Sequence, residues 1–403
     1  MQLRTLIPIV AGTNKVIRLV GVLAFLRLAD PAEFSVWVTC SLILQFSVFL
    51  QLGVPGPACR ECSIAIGKND ENYVNDVMVT AFQIHNIAAF FIIASILLYF
   101  DTELSMYVCL YVISSHVASL SLGLSRAIFR ERKFIVSQLA ECFLLGAGII
   151  FLGDTLALHS LLTLFFLANC ISFVVCAPSL LVLVRSTTHF MSDRALAIDL
   201  VHRAWPMLIF SIFILIRSSW DVLFVSWTAS EILGYAATQI LADAARIGSG
   251  LLMMLFVPYI ARDFGENEEE LTRQMLIKLE RFQRALLVIA IFGAATLSAF
   301  GKELIAVAAP QYIHLTNVIL LKSIGLMVAI CTMPYLMFLI TTRQVKKANI
   351  ILVLTMSLGF FAFFSCYSAL QLHNSLLVGL YVSNLACLIA CFVSTYMTRA
   401  KLN

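Results

Sequence analysis

The segment IPIVAGTNKVIRLVGVLAF, residues 7–25, is apolar over the length at which an α-helix crosses about 30 Å of hydrocarbon. It holds Asn14, Lys15 and Arg18, and no small-residue cleavage site follows nearby, which argues against a secretion signal. We therefore predict a retained first transmembrane helix with two basic residues inside the membrane.

Apolar stretches of this length recur along the whole chain. Of the 403 residues, 61% are hydrophobic and 12% are charged, and the mean hydropathy is +0.95. A soluble domain has about half apolar and a quarter charged residues, so a soluble class is excluded. Breaks at charged residues and prolines predict an all-α integral membrane protein with about twelve transmembrane helices, near residues 6–26, 34–53, 76–99, 105–128, 134–152, 158–184, 204–227, 233–258, 284–305, 316–341, 349–369 and 375–396.

Basic residues orient these helices, because cytoplasmic loops keep Lys and Arg while translocated loops carry few of them. With a cytoplasmic N-terminus, most of the 27 Lys and Arg residues fall in cytoplasmic loops, for example Arg130, Arg132 and Lys133. The opposite side receives only Arg27 and Lys302. Both termini are therefore predicted to be cytoplasmic.

A polar segment near the middle of the chain predicts a boundary between two helical bundles. We predict an N-terminal six-helix bundle at residues 1–186, a cytoplasmic linker at 187–203 and a C-terminal six-helix bundle at 204–403. The spacing from Phe34 to Arg60 nearly equals the spacing from Tyr235 to Arg262. Parallel six-helix repeats are a common plan among transporters, so the halves are candidates for related repeats.

Charged residues inside the predicted spans are the strongest functional signal. Each costs several kcal/mol at the bilayer centre unless it is paired or hydrated, so such residues face the bundle interior or a wet cavity. Cations outnumber acids, which predicts an interior that attracts an anion. The cations are Lys15, Arg18, Arg217, Arg246 and Lys322, and the acids are Glu141, Asp221 and Asp243.

Two pairs of these residues have helical spacing. Arg217 and Asp221 are four residues apart, and Asp243 and Arg246 are three apart, so each pair is within reach of an ion pair on one helix. The sequence leaves two roles open for these four residues: a structural ion pair, or contact with a substrate.

Lys15 and Arg18 are like-charged, three residues apart, and have no acidic neighbour in their own span. Repulsion makes a structural pair unfavourable, so we favour a hydrated cavity that binds an anion, which Lys322 joins. Glu141 is a candidate proton or sodium site, while a neutral hydrogen-bonded carboxyl or a salt bridge is equally open. Asp221 and Asp243 are further candidates for ion coupling.

The sequence carries no catalytic, cofactor or nucleic-acid-binding pattern. It has no GxxxxGK[ST] phosphate loop and no HExxH pair, and the pair Cys59 and Cys62 lacks the second pair that a zinc site needs. Within the spans, His85 and His116 are either packed neutral rings or groups that titrate near neutral pH. We predict a secondary transporter, with no metal or cofactor and no enzymatic activity.

The chain resembles the Wzx-type O-antigen and polysaccharide flippases of the multidrug, oligosaccharidyl-lipid and polysaccharide (MOP) exporter superfamily. The resemblance spans the chain and is carried by short motifs: Asn14-Lys15-x-x-Arg18, Pro31-Ala-Glu-Phe34, Gln51-Leu-Gly53 with Arg60, Arg217-x-x-x-Asp221, and Leu233-Gly-Tyr235 running to Pro258.

The resemblance implies a MATE-like fold in which two six-helix bundles form a V-shaped central cavity that opens alternately to each side. It implies a multi-pass protein of the bacterial inner membrane that moves undecaprenyl-diphosphate-linked oligosaccharide units from the cytoplasmic to the periplasmic leaflet, for O-antigen or related lipopolysaccharide synthesis. The diphosphate would meet the cationic residues, and a polysaccharide polymerase and chain-length regulator would be partners.

Two alternatives stay open from the residues. A small-molecule antiporter of the same superfamily would exchange drugs or metabolites for protons or sodium, although the surplus of basic residues is unfavourable for cationic substrates. A membrane-embedded polymerase or ligase would need a large periplasmic catalytic loop. The predicted external connections, the longest near residues 301–312, are too short for that.

Overall fold

The computed structural model describes residues 3–29, 31–50, 54–99, 102–185, 194–228, 270–308, 310, 313, 316–341, 344–367, 370 and 372–402. Apart from a short 3₁₀ turn at Gly153–Thr155 and 3₁₀ geometry at Pro310 and Ile313, the regular structure in these ranges is α-helical. The helices are α1 (Leu3–Leu28), α2 (Pro31–Leu50), α3 (Pro55–Gly67), α4 (Glu71–Tyr99), α5 (Thr102–Ala127), α6 (Glu131–Leu152), α7 (Leu158–Arg185), α8 (Arg194–Thr228), α9 (Glu270–Ala308), α10 (Thr316–Thr341), α11 (Val345–Tyr367) and α12 (Leu372–Leu402).

The predicted all-α membrane fold is confirmed. In the described part of the chain, ten helices are long and apolar enough to cross a membrane. Eleven of the predicted helices overlap an observed helix, whereas the helix predicted at 233–258 lies outside the described residues. The large apolar side chains that remain exposed, such as Leu98 and Phe151, are those expected to contact lipid.

Helix α3 was not predicted, because its residues were assigned to a connection after the second span. Pro55 begins it, and proline is favoured in the first turn because its missing N–H has no partner there in any case. The helix is 13 residues long and holds Arg60 and Glu61, so it is too short and too polar to span a membrane alone.

Helix α8 begins earlier than predicted. Residues 194–203, which were assigned to the cytoplasmic linker, are its first turns. Leu200 and Ala204, four residues apart, are fully buried in a cluster with α3, α4 and the end of α5. This apolar face stabilises the helix against its neighbours. Residues 186–193 lie outside the description, so a linker between two bundles stays a prediction.

The described residues form two compact units, which we call unit 1, within Met1–Leu208, and unit 2, within Ile209–Asn403. In unit 1, α7 packs against both α5 and α6, and α1 packs against α6. In unit 2, α12 packs against α10 and α11, while α9 packs against α10. Each unit has its own buried polar residues, and these include three of the predicted charged sites: Glu141 in unit 1, and Arg217 and Lys322 in unit 2.

Candidate functional site: a buried polar network in each unit

Arg18 on α1 and Glu141 on α6 form the centre of a polar network in unit 1. Arg18 donates to Glu141 Oε1 from Nε at 2.7 Å, and Nη2 donates to the same oxygen. The side chain of Arg18 is 19% exposed and that of Glu141 is 3% exposed, so this is a largely buried ion pair. Of the roles left open for Glu141, the structure shows a salt bridge.

The other carboxylate oxygen is also fully engaged. Glu141 Oε2 accepts hydrogen bonds from Gln138 Nε2 at 3.0 Å and from Ser172 Oγ at 2.6 Å. The carboxylate thus accepts four hydrogen bonds, two of them from the guanidinium of Arg18. Glu141 therefore compensates one of the two cations on α1.

Asn169 on α7 extends the network to α5. Its Oδ1 accepts a hydrogen bond from Arg18 Nη2 at 2.6 Å, while its Nδ2 donates to Ser114 at 3.1 Å and Ser115 at 2.8 Å. The guanidinium also lies over the ring of Phe165, 5.1 Å from its centroid, a distance suited to a cation–π contact. The position of Arg18 is thus fixed by contacts with α6 and α7, and Asn169 is in turn held by α5.

The sequence analysis did not identify these neutral polar partners. A signal was present: Gln138 and Glu141 are three residues apart, as are Asn169 and Ser172, so each pair places polar groups on one helix face. The sequence prediction used only the charged residues of the spans. Uncharged polar residues in apolar spans also indicate the helix faces that turn away from lipid.

Lys15 lies one turn before Arg18 on α1. Its side chain is partly exposed, and no described residue forms an ion pair or hydrogen bond with its ammonium group. The neighbouring Asn14 is buried and donates to the backbone carbonyl of Gln138 at 3.4 Å. The cluster of Lys15, Arg18 and Glu141 therefore carries two cations and one anion.

Arg217 on α8 is the centre of the network in unit 2 and is 3% exposed. It donates from Nε to Asn384 Oδ1 at 2.7 Å and from Nη1 to Thr332 Oγ1 at 3.3 Å and Cys387 Sγ at 3.2 Å. The three acceptors are an amide oxygen, a hydroxyl oxygen and a cysteine sulfur. The side chain of Asp221 lies outside the description, so its predicted roles, ion coupling included, stay predictions.

Of the remaining predicted site residues, one is described and two are not. Lys322 on α10 is 0% exposed, which places it in the interior of unit 2. Arg246 and Asp243 lie outside the described residues, and so does the helix predicted to carry them. The structure brings Arg18 and Glu141 together; it adds no other predicted site residue to that ion pair.

Two histidines of unit 1 are also buried together. The rings of His85 on α4 and His116 on α5 have centroids 6.3 Å apart, and His116 Nε2 is hydrogen-bonded to Ser47 on α2. Within the described part of the chain, neither ring nitrogen of His85 has a hydrogen-bond partner. Nothing in this arrangement adds a charged group to the Arg18 network.

A second ion-pair cluster joins α3 to the beginning of α8. Glu61 accepts from Arg60 Nη2 at 2.8 Å and from Arg203 Nη1 at 3.3 Å, and Arg203 also pairs with Asp199 at 2.8 Å. Arg60 falls between the helices predicted at 34–53 and 76–99, but it is buried beside Glu61 in α3. The charges neutralise each other, which explains how α3 packs with them inside.

In the described ranges no group of three or more His, Cys, Asp and Glu side chains is placed to hold a metal ion. The two networks consist of cations, amides and hydroxyls with one carboxylate. Such groups can bind an anion by charge-assisted hydrogen bonds.

No family model and no curated protein sequence matches the chain. Solved structures do resemble it over nearly its full length. A mutant of the Vibrio cholerae MATE transporter VcmN superposes with a TM-score of 0.69 at 13% identity, covering 100% of this chain and 99% of that one. An outward-facing multidrug resistance MATE family transporter of the MOP superfamily gives 0.71 at 14%, covering 99% and 95%. A MATE protein in a bent conformation gives 0.73 at 12%, covering 99% and 95%.

At such low identity these similarities show the fold alone. The chain is a multi-pass membrane protein with the MATE fold, which confirms the predicted fold class. The more specific resemblance to Wzx-type flippases rests on the sequence motifs and is taken up as a proposal.

Proposed function

We propose that the chain is a flippase that moves undecaprenyl-diphosphate-linked oligosaccharide units from the cytoplasmic to the periplasmic leaflet by alternating access. The observation that carries the proposal is the Lys15–Arg18 pair on α1. Within the described residues, this pair has one carboxylate partner, Glu141, for two positive charges.

A diphosphate headgroup fits this surplus of charge. Each phosphate oxygen accepts hydrogen bonds, and guanidinium and ammonium groups bind such oxygens strongly where the dielectric constant is low. Lys15 has no hydrogen-bond or ion-pair partner among the described residues, so its ammonium group can bind the headgroup without breaking such a contact. The sugars need a hydrated path, while the polyprenyl tail can stay in the bilayer.

Arg18 offers a way to couple binding to a second ion. A diphosphate that bonds the guanidinium competes with Glu141 for the same donors. Once Arg18 turns to the headgroup, Glu141 keeps only its neutral donors, Gln138 and Ser172. A buried carboxylate in that position favours uptake of a proton or sodium ion, which gives Glu141 a coupling role.

Arg217, Arg246 and Lys322 complete the proposed cationic set. Arg217 and Lys322 are buried in unit 2, so contact with a headgroup requires the helices around them to separate. Their direct role stays a prediction, as does that of Arg246. In the cell the proposal places the protein in the bacterial inner membrane, with cytoplasmic termini and with a polysaccharide polymerase and a chain-length regulator as partners.

A proton- or sodium-coupled small-molecule antiporter is the second candidate. The fold supports it, because one of the similar structures is a multidrug resistance MATE family transporter. The two candidates differ in the charge of the substrate. A cationic drug would be repelled by Lys15, whereas a lipid diphosphate would be attracted.

Complementation of a flippase-deficient strain with matched variants tests the proposal. We expect Lys15→Ala and Arg18→Ala to abolish surface polysaccharide, and Arg18→Lys to restore part of it. Arg27→Ala is the control, because Arg27 is an exposed residue at the end of the same helix. Full polysaccharide production by both Ala variants would refute the proposal. Export of cationic dyes by the wild type, without complementation, would favour the antiporter.

A further inference from the structure

The turn between α5 and α6 in unit 1 and the turn between α10 and α11 in unit 2 have matching backbone hydrogen bonds. Each turn has one amide-to-carbonyl bond that spans five residues and one that spans three. The bonds are Arg130 to Ser125 (2.8 Å) and Lys133 to Arg130 (3.1 Å) in unit 1, and Gln344 to Leu339 (2.7 Å) and Lys347 to Gln344 (3.0 Å) in unit 2. Residues 130–133 therefore correspond to residues 344–347.

The correspondence continues into the interior of each unit. Asn169 on α7 and Asn384 on α12 follow the two turns by nearly the same number of residues. The amide oxygen of each accepts a hydrogen bond from the central arginine of its unit, from Arg18 at 2.6 Å and from Arg217 at 2.7 Å. The two turns are thus equivalent positions of an internal repeat.

Both turns carry a net charge of +2, although their sequences differ. Residues 130–133 are Arg-Glu-Arg-Lys, and residues 344–347 are Gln-Val-Lys-Lys. The exposed cations at corresponding positions are Arg132 and Lys133 in unit 1, and Lys346 and Lys347 in unit 2. Basic residues do not stabilise the first turn of a helix, because the helix dipole favours acidic residues there. Helix stability therefore does not explain why both turns have the same charge.

One face of each following helix joins a cation to exposed apolar side chains. Residues four and seven positions after Arg132 or Lys346 lie on the same helix face as that cation. They are 40–59% exposed, and they are Val136 and Leu139 on α6, and Ile350 and Val353 on α11. Both turns join helices that are long and apolar enough to cross a membrane. A preference for basic residues in cytoplasmic loops does not require this register, which aligns a cation with lipid-facing side chains in both units.

We propose that each turn binds the headgroup of one anionic phospholipid, whose acyl chains lie along the exposed apolar side chains of the following helix. The phosphodiester oxygens accept charge-assisted hydrogen bonds from Arg132 and Lys133 in unit 1, and from Lys346 and Lys347 in unit 2. Basic residues at the membrane surface attract anionic lipids. A zwitterionic headgroup carries a cation of its own, which a turn of net charge +2 repels. The proposal does not depend on the function proposed above.

Native mass spectrometry of the full-length protein in detergent counts the bound lipids. The probes are phosphatidylglycerol and phosphatidylcholine with the same acyl chains. We expect two saturable phosphatidylglycerol sites in the wild type, and no saturable phosphatidylcholine site at the same concentrations. Arg132→Gln with Lys133→Gln should weaken one site about thirtyfold, the loss expected for two basic residues that contact an anionic surface. Lys346→Gln with Lys347→Gln should weaken the other site to the same extent.

Arg27→Gln with Lys302→Gln is the matched control. Both are exposed basic residues outside the two turns, so this variant loses the same charge as each turn variant. It should keep both sites with the wild-type affinity. Equal binding of the two lipids by the wild type, or equal affinity in the control and the turn variants, overturns the proposal.

Photocrosslinking in lipid nanodiscs gives an independent result that does not require any variant. Phosphatidylglycerol with a photoreactive acyl chain should label residues 132–143 and 346–357 more strongly than the matching phosphatidylcholine does. Soluble glycerol phosphate should not compete, because it has no acyl chains to bury. Equal labelling by the two lipids, or labelling that glycerol phosphate abolishes, overturns the proposal.

Discussion

Arg18 and Glu141 are 123 residues apart in the sequence, yet two donors of the guanidinium bond a single carboxylate oxygen. The sequence places both residues within membrane spans, where an unpaired charge costs free energy. The structure shows that each reduces the cost of the other. Within the described residues, this pair leaves Lys15, one turn away on α1, without an ion pair of its own.

Replacing Glu141 with Ala should destabilise unit 1 strongly. Removing one partner of a buried ion pair leaves the other charge uncompensated and typically costs about 3–5 kcal/mol. The measurement is thermal or denaturant unfolding of the protein in detergent. Glu303→Ala, at an exposed acidic residue of α9, is the control and should unfold like the wild type. Equal stability of Glu141→Ala and wild type would contradict the ion pair.

Asn169→Ala should cost about 1–3 kcal/mol, because it leaves a donor of Arg18 without its acceptor in a buried site. It also removes the link to Ser114 and Ser115. Unfolding measurements should be paired with Asn86→Ala, since Asn86 is an exposed asparagine of α4. If both variants lose the same stability, Asn169 has no special role in the network.

Glu61→Gln should loosen the beginning of α8. Glu61 bridges Arg60 and Arg203, and glutamine cannot offset their positive charges. Hydrogen–deuterium exchange of residues 195–204 should become faster, whereas exchange in α12 should not change. Glu71→Gln serves as the control, because Glu71 is exposed at the start of α4. Unchanged exchange in α8 would show that apolar packing alone holds this segment.

Two glycines should respond to alanine in opposite directions. A Cβ at Gly359 meets the Gly379 carbonyl oxygen at 2.7 Å, so Gly359→Ala should force α11 and α12 apart and lower Tm. A Cβ at Gly146 of α6 meets nothing within 4 Å, so Gly146→Ala should stabilise the helix by about 0.5–1 kcal/mol. A stable Gly359→Ala protein would contradict the close packing of α11 and α12.

Hydrophobic length predicts most of the helices because the bilayer imposes it. The helix predicted at 316–341 is observed with the same bounds as α10, since the polar residues on either side end the apolar run. Helix α3 was not predicted, because hydrophobic length identifies only helices long and apolar enough to span the bilayer. Arg60 and Glu61 resemble a solvated connection when each is considered alone, and their mutual neutralisation is visible only in three dimensions.

The partners of the site residues were harder to predict. Helical spacing identifies neighbours within one helix, so it suggested Asp221 as one possible partner for Arg217, and that pairing stays a prediction because the Asp221 side chain lies outside the described residues. The observed partners, Asn384, Thr332 and Cys387, come from two other helices. Lys15 and Arg18 have no acid in their own span, and the acid that pairs with Arg18 is on α6. Pairing across helices depends on packing, which periodicity does not encode.

Leaflet transfer in proteoliposomes tests the central claim most directly. Purified protein is reconstituted with a fluorescent polyprenyl-diphosphate oligosaccharide, and transfer is measured as loss of protection from a membrane-impermeant reagent. We expect transfer by the wild type and by Arg27→Ala, and at least about a tenfold slower rate for Arg18→Ala, since a lost charge-assisted hydrogen bond is worth about 1.5–3 kcal/mol. Equal rates for Arg18→Ala and Arg27→Ala, or no transfer by the wild type, would contradict the account.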